Sequence, residues 1–319
     1  MLTTSDNDAH LHQSYLRQYF RLIGYVVAYY DYLLIFDDEV RYIWGCKGSI
    51  LWIFYLNRYF SIFAIIPSIV GLFLPPRLSS ESVCSKVETY EQVTIVIAQL
   101  ITSVSLLLRT FALYSRSWKI LGIILTTGFP LIGLIVWSVA NQGSASEVTV
   151  SVGCLLLGIQ NVKSHLGFAW VALIAYEVLI FLLTIIKSYR ERNVTYLAST
   201  SHVGGLMQLI CRDGAIYFAI MIWLNAANVV TFYTTSPALQ GCLSRLSSSV
   251  SVSLISRLVI NLRKRYFTEM QTMGTLAEPN NVDVLSLSFY NHISSTSTDN
   301  QTGGSASTED GIEEVQSIG

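Results

Sequence analysis

Charge is scarce in this chain: Asp, Glu, Lys and Arg make up 13% of its 319 residues, while 52% are hydrophobic. Soluble domains carry about 25% charged residues. That shortage, with a mean hydropathy of +0.48, leaves too little polar surface to cover a water-soluble globule, and lipid is the expected solvent. An excess of positive charge is also missing. The formal net charge is −1, which excludes the basic face that a nucleic-acid partner needs. The five cysteines include no CxxC spacing, so neither a zinc site nor a redox motif is supported. His10, His12, His165, His202 and His292 are scattered, with no further metal ligands beside them. No GxxxxGKS/T or GxGxxG phosphate loop and no HExxH is present. The last apolar segment holds no lysine before Lys264, which removes the attachment point of a retinal Schiff base. No small-residue cleavage pattern precedes the first apolar run, so the first membrane helix is expected to serve as its own signal. No catalytic, cofactor-binding or metal set emerges, and the chain is not expected to be an enzyme or to carry a cofactor.

What is abundant is long apolar sequence. Segments able to cross about 30 Å of hydrocarbon, roughly twenty residues each, lie at Tyr19–Phe36, Ile50–Leu74, Thr94–Tyr114, Trp118–Ala140, Leu166–Ile186, Ala215–Thr235 and Pro237–Leu262. The expected fold is therefore all-α, a polytopic seven-transmembrane helix bundle. Residues 1–18 form a short outer tail, 19–267 the membrane domain and 268–319 a cytosolic tail. Pro67 and Pro130 fall inside the second and fourth segments, where proline kinks a membrane helix without ending it. Ser236 followed by Pro237 reads as the cap and first turn of the seventh helix. That segment carries Ser247, Ser248, Ser249, Ser251, Ser253 and Ser256, and small hydroxyl residues suit a helix packed inside a bundle. The alternative is an amphipathic helix lying on the surface. From Thr268 onward the chain is rich in Ser, Thr, Asn and Gly. It lacks the apolar area to offset ordering and is expected to be disordered.

Orientation follows Lys and Arg near the ends of the segments. With the amino terminus outside, the inner side holds Arg41, Lys47, Arg116, Lys119, Lys187, Arg190, Arg192, Arg212, Arg263, Lys264 and Arg265. The outer side holds Arg17, Arg21, Arg77, Lys86, Lys163 and Arg245. Eleven against six favours the amino terminus outside and the carboxyl terminus in the cytosol. Cys84 and Cys154 then fall in outer loops, in the compartment where a disulfide persists. A bridge between them would staple the mouth of the bundle, beside a short strand signal at Val148–Val152. The alternative is two buried thiols. The sequons Asn193-Val194-Thr195 and Asn300-Gln301-Thr302 would face the cytosol and stay unmodified.

Ionisable groups at bilayer depth are costly and face a partner or a wet cavity. Asp31, Arg58, Arg109, Glu177 and Arg257 qualify, joined by the polar Asn57, Asn225 and Asn228. The economical expectation is that the carboxylates and guanidiniums neutralise one another across helices. A proton relay or ligand counter-ion is the functional alternative. Asp37, Asp38 and Glu39 follow the first segment. They are expected to cap a short amphipathic bend along the cytosolic surface, acids in a first turn being favoured by the helix dipole. Tyr42 and Trp44 would then sit at headgroup level.

The run YDYLLIFDDEVRYIW with FYLNRY at Phe54–Tyr59 resembles the fungal domain of unknown function 6533, over roughly Ile23 to Ser68. LLLRTFALY at Leu106–Tyr114, YEVLIFLLT at Tyr176–Thr184, CRDGAIYF at Cys211–Phe218 and SRLVINLR at Ser256–Arg263 resemble its full-length members, with Cys211 where a tyrosine is expected. The resemblance implies a seven-helix integral membrane protein with no established activity. The leading expectation is a receptor-like protein in which a small ligand enters from the outer face and helix movement is read by the Lys187–Arg212 loop and the tail, with a cytosolic signalling partner. That basic loop serves equally to attract anionic membrane lipid. A transporter or channel component would instead use Glu177 with Arg58 or Arg109, and a structural or scaffolding membrane protein would need no ligand. The plasma membrane is favoured over internal membranes.

Overall fold

The structure, a computed structural model, describes residues 4–44, 51–73, 81–114, 117–140, 163–197, 202–236 and 239–272. Among these residues the chain is entirely helical: α1 (Thr4–Leu34), α2 (Phe36–Tyr42), α3 (Leu51–Leu72), α4 (Glu81–Leu113), α5 (Trp118–Ala140), α6 (Lys163–Leu197), α7 (His202–Thr234) and α8 (Ser244–Thr272). Five of them contain stretches long and apolar enough to cross a membrane: Leu51–Leu72, Val83–Leu113, Trp118–Ser138, Gly167–Lys187 and Gly214–Thr234. The chain is thus built as a polytopic membrane protein.

Burial runs opposite to that of a water-soluble domain. Trp52, Leu33, Trp223, Phe63 and Phe129 face outward, while Glu39, Asn57, Arg58, Glu177, Asn225 and Asn228 lie inside. Contiguous exposed apolar surface of this kind marks a face meant for another apolar phase. On α3 the buried positions Leu51, Phe54, Asn57, Arg58, Ser61, Ala64, Ile65, Ser68 and Gly71 follow a helical stripe of threes and fours. Here the stripe is partly polar and the outer face is greasy. Both Pro67 and Pro130 sit within continuous helices. The largest apolar cluster joins Leu106, Ile124, Tyr176, Ile180, Phe218, Met221, Ile255 and Leu258, which knits α4 through α8.

Long-range contacts fix the helix directions. Along α1, Arg21 and then Tyr25 meet Glu88 and then Glu91 of α4, while Gly24 and then Asp31 meet Arg245 and then Arg257 of α8. The α1, α4 and α8 helices therefore run parallel. The carbonyl of Leu183 accepts from the Tyr114 hydroxyl, which aligns α6 with α4. The pairs Ser244–Asn228 and Asn261–Tyr217 set α7 antiparallel to α8.

Several boundaries depart from expectation. The first and third segments begin well before Tyr19 and Thr94, at Thr4 and Glu81. The charged residues there, expected in tails and loops, instead belong to helices whose polar stripes pair with each other. The seventh helix starts at Ser244 and not at Pro237. Between Ser236 and Ser244 the backbone turns through bonds from Leu239 N–H to Ser236 O, Cys242 N–H to Leu239 O and Ser244 N–H to Gly241 O. Gly241 supplies the left-handed φ of +67° that such a path requires. The basic Lys187–Arg212 stretch is mostly helix, the ends of α6 and α7. At 35 residues α6 is roughly 52 Å long at 1.5 Å per residue, so it outruns the hydrocarbon layer. The ladder crosses the α1–α2 break, with Ile35 N–H to Asp31 O and Glu39 N–H to Ile35 O. Thus α2 continues α1 and is not a separate surface segment. The Val148–Val152 strand, Cys46, Cys154 and the tail beyond Thr272 lie outside the described residues.

A glycine marks where α1 approaches α8 closest: a Cβ added at Gly24 would lie 2.9 Å from Arg245 Cγ and 3.0 Å from the Leu246 backbone nitrogen. Backbone cannot yield as a side chain does. Gly24→Ala is expected to destabilise the protein by about 1–3 kcal/mol through overpacking. Gly122→Ala, on open surface of α5, is expected to gain about 0.5–1 kcal/mol from helix propensity. Thermal melts of the two variants in one detergent check the contrast.

Candidate functional site

The polar interior is organised around α8, whose serine face is buried. Ser247, Ser248, Ser249, Ser251 and Ser256 all lie inside, which favours the packed-helix reading over the surface one. From its amino end, Ser244 donates to Asn228 Oδ1 at 3.2 Å. Arg245 Nε donates to Glu91 Oε1 at 2.6 Å, and its Nη2 reaches Thr94 Oγ1 at 3.1 Å. The Tyr25 hydroxyl donates to the same Glu91 oxygen at 3.1 Å. Further along, Ser247 donates to Asn225 Oδ1. Asn57 Nδ2 donates to Val252 O at 3.3 Å while its Oδ1 accepts from Thr102. Arg257 Nε meets Asp31 Oδ1 at 2.6 Å, and at the carboxyl end Lys264 meets Asp38 at 3.2 Å.

Asp31 and Arg257 thus neutralise each other across α1 and α8, the kind of cross-helix pair expected. Arg58 finds a different acid. Its Nε lies 2.6 Å from Glu39 Oε2, with side chains 3% and 0% exposed. Tyr59 donates to Glu39 at 2.9 Å and Trp44 at 3.4 Å. The Arg58 guanidinium sits 4.6 Å from the Tyr32 ring centre and donates to Tyr32 O at 2.9 Å. Glu39 was expected on the cytosolic surface. It does occupy the first turn of α2 with Asp37 and Asp38, but it turns inward because a guanidinium on the next helix needs a counter-charge.

Glu177 differs, since among the described residues no guanidinium pairs with it. Asn225 Nδ2 donates to both its oxygens, at 2.8 and 2.7 Å. Arg109 lies over the Phe218 ring at 5.2 Å, against Gly214 where a Cβ would overlap its guanidinium. Gly214 and Asn225 are eleven residues apart on one helix, roughly 16 Å, so α7 holds Arg109 and Glu177 at different depths. The structure does not bring together Glu177 with Arg58 or Arg109 as a pore pair would require.

Sequence reasoning missed the acids in the first third of α4. Glu88 receives Arg17 at 2.9 Å and Arg21 at 2.5 Å, and Glu91 receives Arg245 with both side chains 4% exposed. The available signal was spacing: Glu88, Glu91, Gln92 and Gln99 recur at three, four and eleven, one face of a helix. Cys84, at the start of α4, is disulfide-bonded, and its expected partner Cys154 lies outside the described residues. Cys242 is a buried free thiol.

Two cavities adjoin this network. One, of about 20 Å³, is lined by Asp31, Arg58, Ser61, Arg245, Ser249 and Ser256 among others. It has room for a water and little else. The other, of about 60 Å³, lies between α4, α5, α6 and the start of α8, with Gln92, Ile95, Gln99, Ile135, Trp170 and Leu173 in its wall. Among the described residues no group of three or more His, Cys, Asp or Glu is placed to hold a metal ion.

Residues 19–63 match the model of a family of unknown function, DUF6533. That stretch contains Asp31, Glu39, Asn57 and Arg58, and so both partners of the deepest ion pair. No curated protein and no solved structure matches the chain.

Breaking a buried pair strands its partner. Arg58→Met is expected to cost about 3–5 kcal/mol, and Glu39→Leu/Arg58→Met together to recover most of it. Lys264→Ala, at an exposed pair, is expected to cost under about 1 kcal/mol. A double-mutant cycle read by thermal unfolding checks both.

Proposed function

We propose that the chain is a seven-span, receptor-like membrane protein, amino terminus outside, that senses a small molecule at its outer end and transmits its presence through α8. The carrying observation is a shared wall. Ser244, the first residue of α8, lines the larger cavity, and the next residue, Arg245, is held by Glu91. A ligand there would press on the helix that also carries Arg257 and Lys264 toward the other end.

Seven spans are supported by the fate of charge in α1 and α8. Neither helix is apolar enough to stand alone among the five candidate spans. Their charges pair with each other and with α4: Asp31 with Arg257, Glu91 with Arg245, Glu88 with Arg17 and Arg21. Paired charge inside a bundle is compatible with a membrane span. The disulfide-bonded state of Cys84 supports an oxidising compartment at the amino end of α4, and Cys154 is the partner proposed. The plasma membrane remains the proposed location.

A structural protein without a ligand is the second reading, favoured by the ion pairs that engage Asp31, Glu39, Glu88 and Glu91. The transporter reading has less support, because Glu177 is engaged by Asn225 and Arg58 by Glu39. No enzymatic chemistry is proposed.

Topology is tested by glycan mapping. A sequon engineered into residues 141–162 is expected to be modified, and Asn193 and Asn300 to stay bare. Glycan on either of the latter overturns the orientation. Sensing is tested by a fluorophore on Lys264→Cys in the purified full chain. Ligands that raise thermal stability by mass action are expected to change its emission. Stabilising ligands that leave the probe silent would favour the structural reading.

A further inference from the structure

Several buried polar atoms have no hydrogen-bond partner among the described residues, the hydroxyls of Ser61, Ser138, Ser249 and Ser251 among them, and Gln99 stands apart as a carboxamide with neither end engaged. It is 4% exposed, and among the described residues neither its carboxamide oxygen nor its nitrogen has a hydrogen-bond partner. It lines the cavity between α4, α5, α6 and α8. A buried amide left unsatisfied costs roughly 1–3 kcal/mol, so its retention there needs an account. Two turns earlier on the same face, Gln92 hydrogen-bonds Glu88, while its Oε1 is buried and without a partner. The cavity therefore offers one donor and two acceptors.

Apart from Ser244, whose hydroxyl is bonded to Asn228, its remaining wall is apolar, with Ile95, Ile135, Trp170 and Leu173. The ionic groups nearest along α4 are already committed, Glu91 to Arg245 and Glu88 to Arg17 and Arg21. An ionic ligand would bring an uncompensated charge into a dry site. A neutral head that both donates and accepts would satisfy Gln99 in both senses. Volume bounds the ligand. An engineered apolar cavity of about 150 Å³ takes benzene, so about 60 Å³ takes a head and the first carbons of a body. Of α5 only the half-buried Ile135 closes the wall, and α5 is the least buried of the five spans, at 6% of its window. A longer body would leave through that side.

We infer that this cavity is a binding site for a small neutral amphiphile with a primary carboxamide head, docked on Gln99 with its body against Trp170, Ile95 and Leu173. The inference deepens the sensing reading by naming its site and ligand class, and rests on that reading only for what binding does to α8.

The test uses the purified full chain in detergent. Hexanamide added from water and oleamide included in the micelle distinguish a soluble ligand from a lipid-like one with the same head. Hexanoate, hexylamine and 2-hexanone, which change the charge or remove the donor, are the controls. At least one amide is expected to raise the melting temperature by several degrees and to shift the emission of Trp170, with that shift lost in Trp170→Phe. Gln99→Met removes the unsatisfied amide at similar size. It is expected to raise the melting temperature of the free protein and weaken the amide at least tenfold. Should Gln99→Met fail to fold, Ile135→Trp fills the cavity from its edge and is expected to abolish the amide effect. Equal response to amide and controls, or unchanged affinity in the folded variant, overturns the site. Absence of any amide effect does the same and leaves water as the occupant. Gln99-dependent binding with a silent probe at residue 264 keeps the site and removes the sensing reading.

Discussion

The register of this bundle depends on acids that meet guanidiniums from other helices, Glu39 with Arg58, Glu91 with Arg245 and Asp31 with Arg257. A charge left alone in hydrocarbon is among the most costly groups a membrane helix can carry. The answer here is positional. Arg245 and Arg257 lie twelve residues apart on α8, and each meets a carboxylate on a different helix, Glu91 on α4 and Asp31 on α1. Such pairs add little net stability against apolar replacements. They specify register instead, because sliding α8 by one turn against α1 or α4 separates both at once. Gly24 makes the same demand sterically, since it lets α1 and α8 approach backbone to side chain at the level of Arg245.

This division of labour explains why the helices differ so much in composition. The α5 helix packs at the edge with 6% of its span buried and is correspondingly uniform and apolar. The α8 helix lies against α1, α3, α4 and α7, and it carries a buried serine face. Without a hydrophobic drive between helices in lipid, close approach through small residues and hydrogen bonds takes over. Central position and low hydropathy are then one property. The helix most surrounded by protein is the one that reads least like a membrane span.

The same logic decides what was legible in the sequence. The apolar runs predicted a helix at each of their positions, and the α3 and α5 boundaries agree to within a residue or two because apolar residues begin and end both helices. The amino ends of α1 and α4 were not legible, because segments chosen for apolar content begin at Tyr19 and Thr94, just past Arg17 and Glu91. The missing information was the partner, and no local pattern records that Arg21 faces Glu88. Asp31 and Arg257 were recognisable as buried charges by depth alone, and they pair. Glu39 was misread because it looks like Asp37 and Asp38 beside it. Only its place on the inward side of α2, facing Arg58, separates a buried counter-ion from a surface cap.

Against that background the carboxamides form a telling series. Asn57 donates to Val252 and accepts from Thr102, and Asn225 bridges Ser247 to Glu177. Each side chain spends both of its ends on neighbouring helices, as register devices do. Gln99 is just as buried and spends neither. Its apolar isostere would pack without that penalty, so stability alone gives no reason for a glutamine there. Either a solvent molecule or a ligand must complete it, and the two differ in what they demand of the surroundings. A water needs two to four polar partners, which the two amide ends of Gln99 and the Oε1 of Gln92 can supply, but Ile95, Trp170 and Leu173 on the rest of the wall give it none. An apolar body carrying a polar head matches that wall better than water does.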